Sequence, residues 1–139
     1  MPVSGIDHFS FPTLDSERFM QFYKRLGLRI LYEDEWRKGK SRIFAIQIGP
    51  NQRINIHPAG YKPSHTGDTT SAGCGDFCFV WDGTMDDVLS MLKRLDLKPA
   101  LGPAPRTGGR GAGTVPSQSV YIRDPDGNLV EFMVYERRA

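Results

Sequence analysis

Apolar and polar positions alternate with a period of two over Leu129–Val134, which predicts a strand. Val130, Phe132 and Val134 form one face and suit a core. Leu129, Glu131 and Met133 form the other, so a single carboxylate sits between two apolar neighbours. Asp124-Pro-Asp-Gly-Asn precedes this strand and has strong turn chemistry: proline presets φ, glycine takes positive φ, and Asp and Asn bond their own backbone. Two other stretches follow the helical period. Phe19, Phe22, Tyr23 and Leu26 share one face of the first; Val88, Leu89, Leu92 and Leu95 share one face of the second. Asp15-Ser16-Glu17 and Thr84-Met85-Asp86-Asp87 supply helix starts. A short apolar strand precedes each helix, at 6–11 and 77–81.

These elements repeat. Lys24-Arg25-Leu26-Gly27-Leu28 recurs as Lys93-Arg94-Leu95-Asp96-Leu97, each copy ending a helix. Strand and helix in register on both sides point to an internal duplication. The chain then reads as one domain of 139 residues, with a first module at about 4–57, a linker at 58–74 and a second module at 75–135.

Comparing the copies singles out polar strand residues. His8 lies on the first strand of the first copy, and Asp76 opens the first strand of the second. His57 ends the last strand of the first copy, and Glu131 lies on the last strand of the second. Pairing the copies about a pseudo-twofold axis would gather His8, His57, Asp76 and Glu131. Two imidazoles and two carboxylates suit a divalent Mn, Fe, Co, Ni or Zn ion. Glu131 also has a plainer reading, as a solvated residue of an edge strand.

Composition narrows the function classes. Eighteen Lys and Arg against sixteen Asp and Glu leave a net charge of +2. The basic residues are scattered apart from an Arg137-Arg138 tail, which argues against nucleic acid and membrane surfaces as partners. No apolar run approaches membrane-spanning length, and no signal peptide precedes the first strand. Cys74 and Cys78 form no disulfide framework, which fits a cytoplasmic protein. Cys78 shares a strand face with Asp76, where it is either a thiol lining the site or a small buried residue. Two segments read as loops, 58–73 and 102–117. The second carries Arg106 and Arg110 among four glycines, Gly108, Gly109, Gly111 and Gly113. It lacks the Lys-Ser/Thr ending of a phosphate loop. It is either a flexible closure over an anion or a wide loop with solvated arginines. Tyr121 shares a strand face with Ser119 and Arg123, and its hydroxyl is a candidate hydrogen-bond or acid group. Trp36, Tyr32 and Phe44 would suit a flat ligand or a core.

The ordered set Ile54-Asn55-Ile56-His57, Gly75-Asp76-Phe77-Cys78-Phe79, Gly102-Pro103-Ala104-Pro105-Arg106-Thr107-Gly108 and Ser119–Arg123 running into Asp-Pro-Asp-Gly-Asn resembles the vicinal oxygen chelate superfamily. That group includes glyoxalase I, extradiol dioxygenases, fosfomycin-resistance proteins and bleomycin-binding proteins. The chain is most similar to glyoxalase-domain proteins, some labelled virulence proteins. The resemblance implies an α+β fold: two paired βαβββ modules forming a curved, partly closed mixed sheet around a central groove. It implies His8, Asp76 and Glu131 as metal ligands, with His57 as a possible fourth. Asp76 departs from the histidine that glyoxalases and dioxygenases more often carry there. It implies catalytic roles for Glu131, as base, and Tyr121, and substrate contacts from Arg106, Tyr121 and Asn55. The implied chemistry is isomerase, lyase or ring-cleaving dioxygenase action on a small metabolite. Metal-free sequestration, as in bleomycin-resistance proteins, is the competing reading. Small members of the group often dimerise, so a homodimer is expected.

Overall fold

Two helices end the same way for the same reason. The computed structural model describes residues 2–135; the Arg137-Arg138 tail lies outside them. Helix α1 (Ser16–Arg25) is capped by Asp15, whose Oδ1 accepts from the Arg18 amide at 3.1 Å. Helix α3 (Met85–Arg94) starts with a reciprocal capping box between Thr84 and Asp87. At the other end the chain turns through a left-handed residue, Gly27 (φ 91) in one copy and Asp96 (φ 56) in the other. The following amides reach back identically, Leu28 to Tyr23 O at 3.1 Å and Leu97 to Leu92 O at 2.9 Å. The repeated pentapeptide is thus a helix C-terminus with its left-handed stop.

The chain forms two compact units. The first comprises residues up to Cys74 together with Pro125–Gly127, the second Gly75–Asp124 and the residues from Asn128 onward. The first unit runs β1 (His8–Pro12), α1, β2 (Ile30–Leu31), α2 (Glu33–Arg37), β3 (Phe44–Ile48) and β4 (Gln52–His57). The second runs β5 (Asp76–Val80), α3, β6 (Leu101–Thr107), a 3-10 turn at Arg110–Ala112, β7 (Pro116–Arg123) and β8 (Leu129–Tyr135). Each unit holds a four-stranded mixed sheet with one strand order, β1-β4-β3-β2 and β5-β8-β7-β6. In both, the first strand pairs parallel with the last and the remaining pairs are antiparallel. The fold class is α+β.

Each core forms where a helix covers one sheet face. In the first unit Phe19 and Tyr23 of α1 are fully buried and lie ring to ring, Phe19 also meets the Phe44 ring at 6.0 Å, and Ile46, Ile54 and Ile56 of the sheet are buried as well. Phe44 is therefore core, and Trp36, half-exposed, meets it edge-on at 5.3 Å. In the second unit Val88 and Leu92 of α3 are buried, as are Val130, Phe132 and Val134 of β8. The opposite faces carry Ser10, Arg53 and Asn55 in one unit, and Cys78, Tyr121 and Glu131 in the other.

The stretch at 102–117 differs from the loop its composition predicts. Leu101–Thr107 is a strand pairing with β7, with a register irregularity between Leu101 and Ala104, and only the residues after Thr107 turn. Pro103 and Pro105 donate no amide, and an edge strand tolerates them because one side of its ladder is unpaired.

Candidate functional site

The turn before Glu131 is built by two buried polar residues. Asn128, fully buried, donates its backbone amide to Asp124 Oδ1 at 2.9 Å and its Nδ2 to Asp124 Oδ2 at 2.8 Å. Its own Oδ1 accepts from the Gly75 amide at 2.7 Å. A Cβ on Gly75 would meet that oxygen at 2.7 Å, so the position requires glycine. Asn128 thereby joins the start of β8 to the start of β5, and these two strands carry Glu131 and Asp76. At the turn's tip, Asp126 accepts from Thr13 Oγ1 at 2.6 Å and from the Leu14 amide at 3.0 Å.

Glu131 sits between Cys78 on β5 and Tyr121 on β7, its direct ladder partners. Ser119, with no exposed surface, donates its hydroxyl to Glu131 Oε2 at 2.6 Å. Arg106 Nε donates to the Tyr121 hydroxyl at 2.9 Å, and Arg106 Nη1 donates to Pro105 O at 2.7 Å. The guanidinium lies 5.5 Å from the Tyr121 ring centroid. Cys78, Arg106, Tyr121 and Glu131 line a pocket of about 400 Å³ with Val80, Thr107, Gly108, Gly109, Met133 and Tyr135. Tyr135 also fastens the glycine-rich loop: its hydroxyl accepts from the Arg110 amide at 3.2 Å, and the Arg110 guanidinium covers its ring at 4.0 Å.

The electrostatics of this pocket keep its neutral groups neutral. Partial loss of solvent, then the nearby Glu131 and Asp76 carboxylates, push the Cys78 thiol up to about 12. Cys78 is exposed rather than a small buried residue, and its thiol lines the pocket without the thiolate character of a nucleophile. Tyr121 is also shifted upward, mainly by desolvation and further by Glu131, against the lowering effect of Arg106.

Register decides which residues of the first unit correspond to these. Cys78 pairs with Glu131 on the β5–β8 ladder, and Ser10 pairs with Asn55 on the β1–β4 ladder. His8 pairs with Arg53 and Asp76 with Leu129. His8 thus stands diagonally to Asn55 as Asp76 stands diagonally to Glu131. Asn55, not His57, occupies the position equivalent to Glu131. His57 is paired with Pro12, four residues beyond His8, a separation of roughly 13 Å along the ladder. It packs edge-on against Tyr61, and burial lowers its pKa. The sequence contained a signal for Asn55: it lies two residues before His57 on an alternating strand and shares its face.

Each of these positions, taken within its own unit, carries a donor atom of a type that can bind a divalent ion. Asn55 is buried, and among the described residues its Oδ1 meets no hydrogen-bond partner. His8 Nδ1 lies 2.7 Å from Asp7 Oδ1, an arrangement that orients an imidazole and directs Nε2 outward. Asp76 is an exposed carboxylate. Among the described residues, no three His, Cys, Asp or Glu side chains are gathered tightly enough to hold a metal ion. Nor does any helix among them have the length and apolarity to cross a membrane.

Residues 5–132 match the Glyoxalase family, described as the Glyoxalase/Bleomycin resistance protein/Dioxygenase superfamily. Glyoxalase domain-containing protein RDO1 of Mycosarcoma maydis is 31% identical over 136 residues, covering 98% of this chain and 71% of its own length. Virulence protein STM3117 of Salmonella typhimurium is 31% identical over 136 residues, covering 97% of this chain and 87% of its own. The crystal structure of STM3117 superposes with a TM-score of 0.83 at 29% identity, covering 98% of this chain and 100% of that one. Lactoylglutathione lyase of Agrobacterium tumefaciens shares the fold, with a TM-score of 0.68 at 22% identity over 96% of this chain and 95% of that one.

Proposed function

This chain belongs to the Glyoxalase/Bleomycin resistance protein/Dioxygenase superfamily, and from that premise we propose that it is a divalent-metal-dependent enzyme acting on a small oxygenated metabolite. The observation that carries this reading is the placement of Glu131. It is a half-buried carboxylate at the wall of a pocket, held by Ser119 and flanked by Tyr121 and Cys78. Glu131, Asp76 and His8 are the proposed ligands. Asn55 contributes its orphaned oxygen at the position equivalent to Glu131. A divalent ion held by these residues would supply Lewis acidity toward two neighbouring substrate oxygens. The chain's own residues do the rest. Ser119 fixes the Glu131 carboxylate, which is positioned to take a substrate proton. Tyr121 presents a neutral hydroxyl fixed by Arg106, able to donate a proton or a hydrogen bond. Isomerase, lyase and ring-cleaving dioxygenase chemistry all use these parts, and a homodimer acting in the cytoplasm is the setting we propose.

The competing reading is a metal-free protein that sequesters a ligand. The Ser119 hydrogen bond favours it, because a carboxylate oxygen already satisfied by a hydroxyl needs no cation. Elemental analysis of protein purified without chelators separates the two. The enzyme reading predicts about one transition-metal ion per chain, with Glu131→Gln binding it at least about tenfold more weakly. Metal-free protein that remains metal-free after reconstitution with Mn, Fe, Co, Ni and Zn refutes it.

A further inference from the structure

We infer that the pocket of the second unit binds an apolar monocarboxylate, with the carboxylate on Arg106 and the hydrocarbon body against Val80, Met133 and the ring of Tyr135. This rests on the reading of that pocket as the ligand site and names the ligand's chemical class. Glu131 takes no part in holding the carboxylate.

Arg106 is a cation held without an anion. It is the one cation among the residues lining the pocket, and it is half-buried. Its Nε donates to the Tyr121 hydroxyl at 2.9 Å and its Nη1 to the Pro105 carbonyl at 2.7 Å. The Tyr121 ring centroid lies 5.5 Å from the guanidinium carbon. These partners are neutral, and among the described residues no carboxylate pairs with Arg106. A guanidinium carries five N–H donors, so the two bonds leave three, two of them on Nη2. The same bonds and the ring fix the fork before any ligand arrives, which lowers the ordering cost of binding. A partly buried charge is normally paired, and a planar carboxylate is the small anion that matches a guanidinium fork best.

The rest of the wall decides what the carboxylate is attached to. Along β8, Glu131, Met133 and Tyr135 line the pocket in turn, and Val80 on β5 pairs with Met133. Arg106 enters from β6, where its backbone pairs with Ser117, itself paired with Tyr135. Its backbone therefore stands two strands across from β8, roughly 10 Å, and level with Tyr135, which is roughly 13 Å along β8 from Glu131. Arg106 and Glu131 thus reach into the pocket from different directions, with Met133 and Tyr135 following Glu131 along the wall. Gly108 fixes that wall: a methyl group on it would run into the Tyr135 hydroxyl oxygen and the Met133 sulfur, so both side chains lie hard against the loop. A pocket of about 400 Å³ with one unpaired cation and this apolar wall fits a carboxylate that carries a ring or a short branched chain. A dicarboxylate fits poorly, because Arg106 matches one charge and the second meets no further cation among the lining residues.

Benzoate, benzamide and acetate test this on the full chain stripped of metal with a chelator, so that no anion binds through a metal. Benzamide has the shape of benzoate without its charge, and acetate has the charge without the body. Affinities, and the shift of the Arg106 Nε–H resonance, follow from proton–nitrogen NMR titrations. Benzoate is expected to bind best and to move the Arg106 signal, with benzamide at least about tenfold weaker and acetate at least about fivefold weaker. Arg106→Ala should weaken benzoate at least about tenfold, and Arg106→Lys should recover only part of the loss because the fork is gone. Glu131→Gln should bind benzoate at least as tightly as wild type, because the carboxylate is not anchored there. Equal affinity for benzoate and benzamide overturns the inference, as does equal affinity for benzoate and acetate. Wild-type affinity in both Arg106 variants, loss of benzoate binding in folded Glu131→Gln, or no saturable binding of benzoate overturns it too. The comparison of probes uses wild-type protein and survives any folding defect in a variant. Elemental analysis of the same protein before chelation and after reconstitution separates the two claims. Benzoate selectivity in a protein that takes up no metal sinks the enzyme reading alone, and metal uptake without that selectivity sinks this inference alone.

Discussion

Replacing Asn128 by alanine should destabilise the second unit by roughly 3 kcal/mol. The value comes from the bonds that are lost. The Asn128 amide group donates to the buried Asp124 carboxylate at 2.8 Å and accepts from the Gly75 amide at 2.7 Å. Breaking a hydrogen bond to a charged group costs about 1.5–3 kcal/mol, and leaving a half-buried amide without its partner costs about 1 kcal/mol or more. The backbone bonds between Asp124 and Asn128 survive the change. Equilibrium urea unfolding measures the effect. With an m-value of about 1.5 kcal/mol/M, the midpoint should fall by about 2 M. The double variant with Asp124→Ala isolates the pair, and its coupling energy should be about 1.5–3 kcal/mol. A midpoint shift under about 0.5 M, or additive single effects, would show that these contacts do not hold the start of β8 to the start of β5.

Further predictions follow from the repeat and from the surface. Gly27 adopts φ 91 and Asp96 φ 56 at equivalent helix ends, so Gly27→Ala should cost about 1–2 kcal/mol while Asp96→Gly should stabilise by about 0.5–1 kcal/mol; thermal unfolding of both variants checks the opposite signs. Hydrogen bonding to Lys24, then to Arg37, lowers the pKa of Glu33, and hydrogen bonding to Arg37 lowers that of Glu17. Because the folded pKa values lie below the unfolded ones, this stability is present above about pH 4.5 and disappears as pH falls through the lowered folded values. The loss should be under about 1 kcal/mol for so exposed a network, weaker in high salt, and absent once pH lies below the lowered folded values when Glu33→Gln is compared with wild type.

How far the fold can be read from the residues depends on local chemistry. The two helices, their caps and the pentapeptide repeat are legible because each carries periodicity and a stop signal in one contiguous stretch. The turn from Asp124 to Asn128 is legible for the same reason, although its reach to Gly75 is not. β2 has two residues and α2 five, too few for any period to emerge. β6 hides behind Gly102, Pro103 and Pro105, whose loop-like composition is compatible with an edge strand. The Glu131 face can be read from alternation, and Tyr121 and Arg106 can be singled out near it. The preference for His57 over Asn55 rests on residue type alone, because imidazole is the better metal ligand. Only the register of β1 against β4 sets Asn55 at the position equivalent to Glu131. Register is a tertiary property that one strand's pattern leaves open.

The most direct measurement is anomalous diffraction from crystals of protein grown with Mn²⁺ or Zn²⁺ and collected at the metal edge. The account predicts one strong anomalous peak within coordination distance of a Glu131 carboxylate oxygen, about 2.0–2.2 Å for Zn²⁺, with Asp76 and the His8 imidazole as further ligands. A peak at His57 with none at Glu131, or a Glu131 carboxylate still bonded to Ser119 with no ion beside it at saturating metal, would contradict the central claim.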